Sequence, residues 1–143
     1  EREAMIRLVI MGAALIFASN AAHARQTGAP NEAIMGVWAN PSGSVRVRIE
    51  ECGTKLCGVV VYANEKAKAD AAKAGTDVLI GINLFREFDR YGRNKWRGKV
   101  LVPDLDRTVG GELKPISADT LQVHGCMFGH VGCKNQKWTR VSN

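Results

Sequence analysis

The stretch Val45-Arg46-Val47-Arg48-Ile49-Glu50-Glu51-Cys52-Gly53-Thr54-Lys55-Leu56-Cys57-Gly58-Val59-Val60-Val61-Tyr62 decides the fold class. From Val45 to Ile49, apolar and cationic residues alternate strictly. A half-buried strand requires this, because successive side chains leave opposite faces of the backbone. Leu56 to Tyr62 is rich in β-branched residues and reads as a second strand. Cys52 and Cys57 bracket a four-residue loop between the two runs. The whole reads as a β-hairpin with a cysteine on each side of its base, where facing residues come close enough for a disulfide.

Further strand signals follow in both directions. Gly36 to Asn40 precedes the turn Pro41-Ser42-Gly43. Ile82 to Phe88 and Lys95 to Val102 flank the turn Tyr91-Gly92-Arg93-Asn94. Thr108 to Lys114, Leu121 to Cys126 and about Lys134 to Val141 complete the series. Glu65 to Lys73 breaks the pattern with Ala, Lys and Asp and reads as one short helix after the third strand, or a loop with helical character, with Gly75 able to end it. The fold class is therefore all-β: an eight-stranded antiparallel meander, sandwich or barrel, for which barrel closure would leave no strand edge unpaired. The expected domain map is a signal peptide over 1–24, a disordered lead-in over 25–34 and a single β-barrel domain over 35–143.

The signal rests on an apolar run from Leu8 to Ala18 after Arg7, followed by Ala22-His23-Ala24, whose small residues suit a cleavage site. Spanning a bilayer takes about 20 apolar residues, so a cleaved export signal is the better reading. No later segment is apolar enough to cross. Export places the protein in the periplasm or outside the cell, with a Gram-negative envelope the expected setting, where cysteines pair rather than stay reduced. Cys52, Cys57, Cys126 and Cys133 allow three connectivities. Chain entropy favours the long loops, whereas the local hairpin context favours Cys52–Cys57 and Cys126–Cys133. Zinc is the competing reading, through His124-x-Cys126 and His130-x-x-Cys133; the oxidising compartment counts against it, and no metal or other cofactor is expected.

Several short motifs follow one another along the chain: Gly36-Val37-Trp38, Ile49-Glu50-Glu51-Cys52, Leu56-Cys57-Gly58, Trp96-Arg97-Gly98-Lys99, Pro103-Asp104, Leu121-Gln122-Val123-His124-Gly125-Cys126 and Trp138-Thr139-Arg140-Val141. As an ordered set they resemble the secreted bacterial domain-of-unknown-function family 2147, across the whole segment after the signal. The resemblance implies an exported protein and a small calycin-like barrel. The chain departs from the family pattern in its Glu65 to Gly75 linker and in lacking a Gly-x-x-Tyr-type turn near Leu105 to Val109, both of which bear on loops. In lipocalins, a Gly-x-Trp on the first strand packs beneath an Arg from near the last strand. Trp38 and Arg140 fall in the corresponding places and are expected to be structural partners, the alternative being that Arg140 is a solvated terminal charge.

Signals for catalysis are sparse. No serine lies in a nucleophile-elbow motif, and no phosphate-cradling glycine loop is present. Glu50 and Glu51 are adjacent on a strand and point to opposite faces. Asp104-x-Asp106 reads as a turn, with calcium binding as the alternative. The expected role is thus non-enzymatic: a binding module that holds a small apolar or amphipathic ligand inside the barrel, with Val47, Trp96 and Val100 as ligand-facing candidates. A second reading rests on the basic run Arg86, Arg90, Arg93, Lys95, Arg97 and Lys99, which contributes to a net charge of +6. Export argues against nucleic acid as its partner, leaving anionic lipids or glycans of the envelope. The alternative is an ordinary solvated face. Oligomeric state and the identity of any ligand are not encoded in these patterns.

Overall fold

A computed structural model describes residues 31–143. The expected signal peptide and residues 25–30 of the lead-in lie outside the described residues. Eight strands form one closed antiparallel barrel in simple sequence order: β1 (Gly36–Ala39), β2 (Val45–Cys52), β3 (Lys55–Ala63), β4 (Asn83–Gly92), β5 (Lys95–Val102), β6 (Arg107–Pro115), β7 (Thr120–Phe128) and β8 (Val131–Ser142). The helix α1 (Glu65–Lys73) follows β3, and a short 3-10 turn (Pro103–Leu105) joins β5 to β6. Pairing of β1 with β8 closes the ring, so no edge is left to recruit another strand.

The alternation read in β2 places Val47 and Ile49 in the core and Arg46 and Arg48 in solvent. The β2–β3 turn is tighter than the expected four-residue loop, because Cys52 pairs with Lys55 and only Gly53-Thr54 remain between the strands. Asn64 ends β3 and starts α1. Its side-chain oxygen accepts from the Ala67 N–H at 2.8 Å, satisfying one of the donors left free at a helix start.

The pattern breaks once, in β4. Phe85 and Phe88 are three residues apart, yet both are buried, and Glu87 between them takes a positive φ of 53°. The pairing register with β5 shifts across Arg86–Asp89. This bulge absorbs one residue and lets both rings turn inward, where they meet edge to face at 5.9 Å between centroids. Room for them comes from glycines on the flanking strands: a Cβ at Gly98 would lie 2.7 Å from the Phe88 ring, and one at Gly58 would lie 2.6 Å from that of Phe85. Phe85 also packs on Trp138 at 5.3 Å.

Residues 31–34 fall within the expected disordered lead-in, yet they pack on the barrel. They form a turn in which Ile34 is fully buried. Trp38 Nε1 donates to the Ile34 carbonyl at 2.9 Å, and Trp96 Nε1 donates to Asn31 Oδ1 at 3.2 Å. An apolar side chain and two indole bonds hold these residues against the barrel.

Candidate functional site

The two ends of the barrel differ. One is sealed by Trp38, Trp96 and Ile34, all fully buried. The Arg140 guanidinium lies 4.2 Å over the Trp38 ring. It donates from Nε to Ala118 O at 2.6 Å, from Nη1 to Met35 O at 2.6 Å and from Nη2 to Ala33 O at 2.9 Å. Arg140 therefore does more than cover an indole. It ties the β7 approach, the residue 31–34 turn and the last strand into one floor.

The opposite end holds a cavity of about 480 Å³. Its depth is apolar, with Phe85, Val100, Val109, Val123 and Trp138 on the walls. Its rim is polar: Asn40 and Ser44 from the β1–β2 turn, Asp70 from α1, Asp104 from the 3-10 turn, and Lys134 and Gln136 from β8. Gln136 Oε1 accepts from Trp138 Nε1 at 2.9 Å, so the indole at the wall is satisfied without a ligand. Asp70 is held below the usual carboxylate range by its hydrogen bond from Lys66, so it stays anionic at neutral pH.

Of the three candidates for ligand contact, Val100 lines this cavity, whereas Val47 and Trp96 are fully buried in the packed half beneath it. All three point inward. The difference is height along the barrel axis, which the period of alternation does not encode. Residues from α1 and the 3-10 turn, including Ala67, Asp70 and Pro103, were missed as lining residues because only packing brings those segments over the opening.

The six cations of the β4–β5 run do not form one free patch. Lys99 pairs with Glu87 at 2.7 Å and Arg97 with Glu112 at 3.3 Å. Arg97 also covers Tyr91 at 4.2 Å, while the exposed Arg90 has its guanidinium 5.8 Å from the ring of the buried Trp96. Arg86 Nε donates to its neighbour Asn83 O at 2.8 Å. Lys55 from β3 pairs with Asp89 in the same belt. Arg93 lies in the β4–β5 turn and Lys95 starts β5, both exposed. Cross-strand acids thus neutralise part of a charge that looks unopposed in the linear sequence.

Both disulfides are local, Cys52–Cys57 and Cys126–Cys133. The second joins directly opposite residues of the β7–β8 hairpin, with Cα atoms 3.9 Å apart. The first does not: Cys57 faces Glu50 and Cys52 faces Lys55, so the bridge runs diagonally over a Cα separation of 5.8 Å. With Cys126 and Cys133 bonded to one another, the zinc reading loses both thiolates. His124 remains beside them and His130 is exposed in the hairpin turn. Asp106, at φ 43°, caps the 3-10 turn that also carries Asp104.

A closed eight-stranded meander with one sealed end and one open, cavity-bearing end defines a lipocalin-like barrel. In keeping with that, the chain is similar in structure to a protein from the human pathogen Helicobacter pylori described as belonging to the lipocalin family. The TM-score is 0.59 at 14% identity, covering 76% of this chain and 83% of that one. Residues 36–140 match the model of the family described as "Uncharacterized protein conserved in bacteria (DUF2147)", and the chain belongs to that family. No curated protein matches it.

Proposed function

We propose that the protein is a binding module, working outside the cytoplasm, that holds a small amphipathic molecule in the open half of its barrel. The observation that carries this is the cavity. Its volume of about 480 Å³ falls within the roughly 300–1,000 Å³ usual for small-molecule sites, which pair an apolar lining with a few polar groups. The apolar walls would take the body of the ligand and the rim its polar head. Two disulfides support an oxidising compartment, as does the export signal read from the sequence. Among the described residues, no helix is long and apolar enough to cross a membrane.

Trp138 at the cavity wall supplies the probe. Titration with 1-anilinonaphthalene-8-sulfonate and a series of fatty acids of increasing chain length should change tryptophan emission saturably, with one ligand per chain by native mass spectrometry. Val100→Trp, which places bulk inside the cavity, should abolish uptake while the cooperative thermal transition persists. Absence of uptake across the panel, or uptake unaffected by Val100→Trp, would remove the support for this reading. Salt-sensitive pelleting with anionic vesicles, without cavity occupancy, would favour the basic outer surface instead.

A further inference from the structure

We propose that the Cys126–Cys133 bridge is a site of reversible thiol–disulfide exchange with an external dithiol, entered at Cys133 and assisted by His124. Cys133 is exposed and Cys126 half-buried, so an incoming sulfur reaches Cys133 first. His124 lies two residues before Cys126 on β7 and therefore shares its face. Its Nε2 is 3.3 Å from Cys126 Sγ. The other ring nitrogen is held by Asn135, whose Oδ1 is 2.7 Å from Nδ1 and also accepts from Gln122 Nε2 at 3.2 Å. An amide oxygen only accepts, so Nδ1 carries a proton and Nε2 is left facing the sulfur.

That arrangement gives the exchange a direction. A thiolate of the dithiol attacks Cys133 Sγ, the Sγ–Sγ bond breaks, and the electron pair goes to Cys126 Sγ. Nε2, protonated from solvent, delivers its proton to that departing sulfur. The second thiol of the dithiol, as thiolate, then attacks the mixed disulfide, releasing Cys133, which takes up a proton, and a cyclic disulfide. Two electrons have passed from the dithiol to the cystine. In the reverse direction, neutral Nε2 takes the proton of Cys126 and readies it for reoxidation.

The other bridge is an internal control. Cys52 is exposed too, so access alone does not separate the two sites. Attack there would expel Cys57, which is 3% exposed and whose sulfur lies within 4.8 Å of a Glu50 carboxylate oxygen. Burial and a like charge both disfavour a departing thiolate, and no imidazole stands beside it among the described residues.

The test treats the oxidised full chain with dithiothreitol for graded times, quenches with N-ethylmaleimide and locates the label by peptide mass spectrometry. Cys126 and Cys133 should be labelled roughly tenfold ahead of Cys52 and Cys57, because with access matched, exchange follows the quality of the leaving thiol. With glutathione, a monothiol, the trapped adduct should sit on Cys133. His124→Gln, which cannot carry the proton, should slow the Cys126–Cys133 reaction several-fold and leave the Cys52–Cys57 rate unchanged. Should that variant loosen the barrel, both bridges would accelerate together, and Asn135→Ala, which frees the ring without removing it, then carries the test by the same expected slowing. Equal rates at the two bridges, an adduct on Cys126, or an unchanged rate in an intact variant overturns the proposal.

Discussion

Replacing Arg140 with alanine tests the account of the sealed end most directly. The side chain makes three hydrogen bonds to carbonyl oxygens at 2.6, 2.6 and 2.9 Å and covers Trp38 at 4.2 Å. A hydrogen bond from a charged donor is worth about 1.5–3 kcal/mol when buried. Two of the three here are at the exposed side, where water can replace the donor, so together they contribute about 2–3 kcal/mol. The cation–π contact adds about 1 kcal/mol in this half-buried setting. Arg140→Ala should therefore cost about 3–4 kcal/mol, and at about 4 °C per kcal/mol for a domain of this size the midpoint should fall by about 12–16 °C. Arg140→Lys, which keeps the charge but not the planar fork, should fall between. Thermal unfolding followed by far-ultraviolet circular dichroism, with both disulfides intact, measures this. A fall of less than about 2 °C would mean that Trp38 and Ile34 seal the floor by packing alone.

Gly98→Ala should destabilise by about 1–3 kcal/mol, because its new Cβ would meet both the Phe88 ring and the Arg86 carbonyl at 2.7 Å; an unchanged urea midpoint would show that the bulge in β4 can give way. Lys99→Met addresses the belt of ion pairs. The hydrogen bond from Lys99, and then its charge, hold the Glu87 carboxyl below the usual range. A carboxyl lowered in the folded state adds stability that is present above its unfolded pKa and lost as pH falls through its folded one. In the variant, Glu87 should titrate higher by nuclear magnetic resonance and stability should depend less on pH in that acid window, whereas an unmoved Glu87 titration would deny the pairing.

Much of the strand plan was legible because alternation is a local property. Lys95 to Val102 and Glu65 to Lys73 could be bounded from residues alone, as β5 and α1 show. Alternation assigns a side chain to the inside or the outside but says nothing of its height, which is why Val47, Trp96 and Val100 looked equivalent. Strand β8 was legible only in part. Val131 to Lys137 is exposed throughout and carries no apolar period, so its start is fixed by pairing with β7 rather than by its own composition. Charge was legible as a sum but not as an arrangement. The partners of Lys99 and Arg97 lie 12 and 15 residues away along the chain, and cross-strand register alone sets them side by side. Ile34 read as part of a polar lead-in because its burial depends on the barrel already being formed.

The strand order carries a consequence for how the chain acquires its structure. Every pairing but one joins consecutive strands, and the exception, β1 with β8, links segments nearly the whole barrel apart in sequence. Neighbouring hairpins can form with little loss of loop entropy, whereas that last seam must wait for the chain to come round. Trp38 and Arg140 are paired residues across it. The same cation and ring that plug the cylinder therefore act as its clasp, and weakening them should hasten unfolding more than it delays folding.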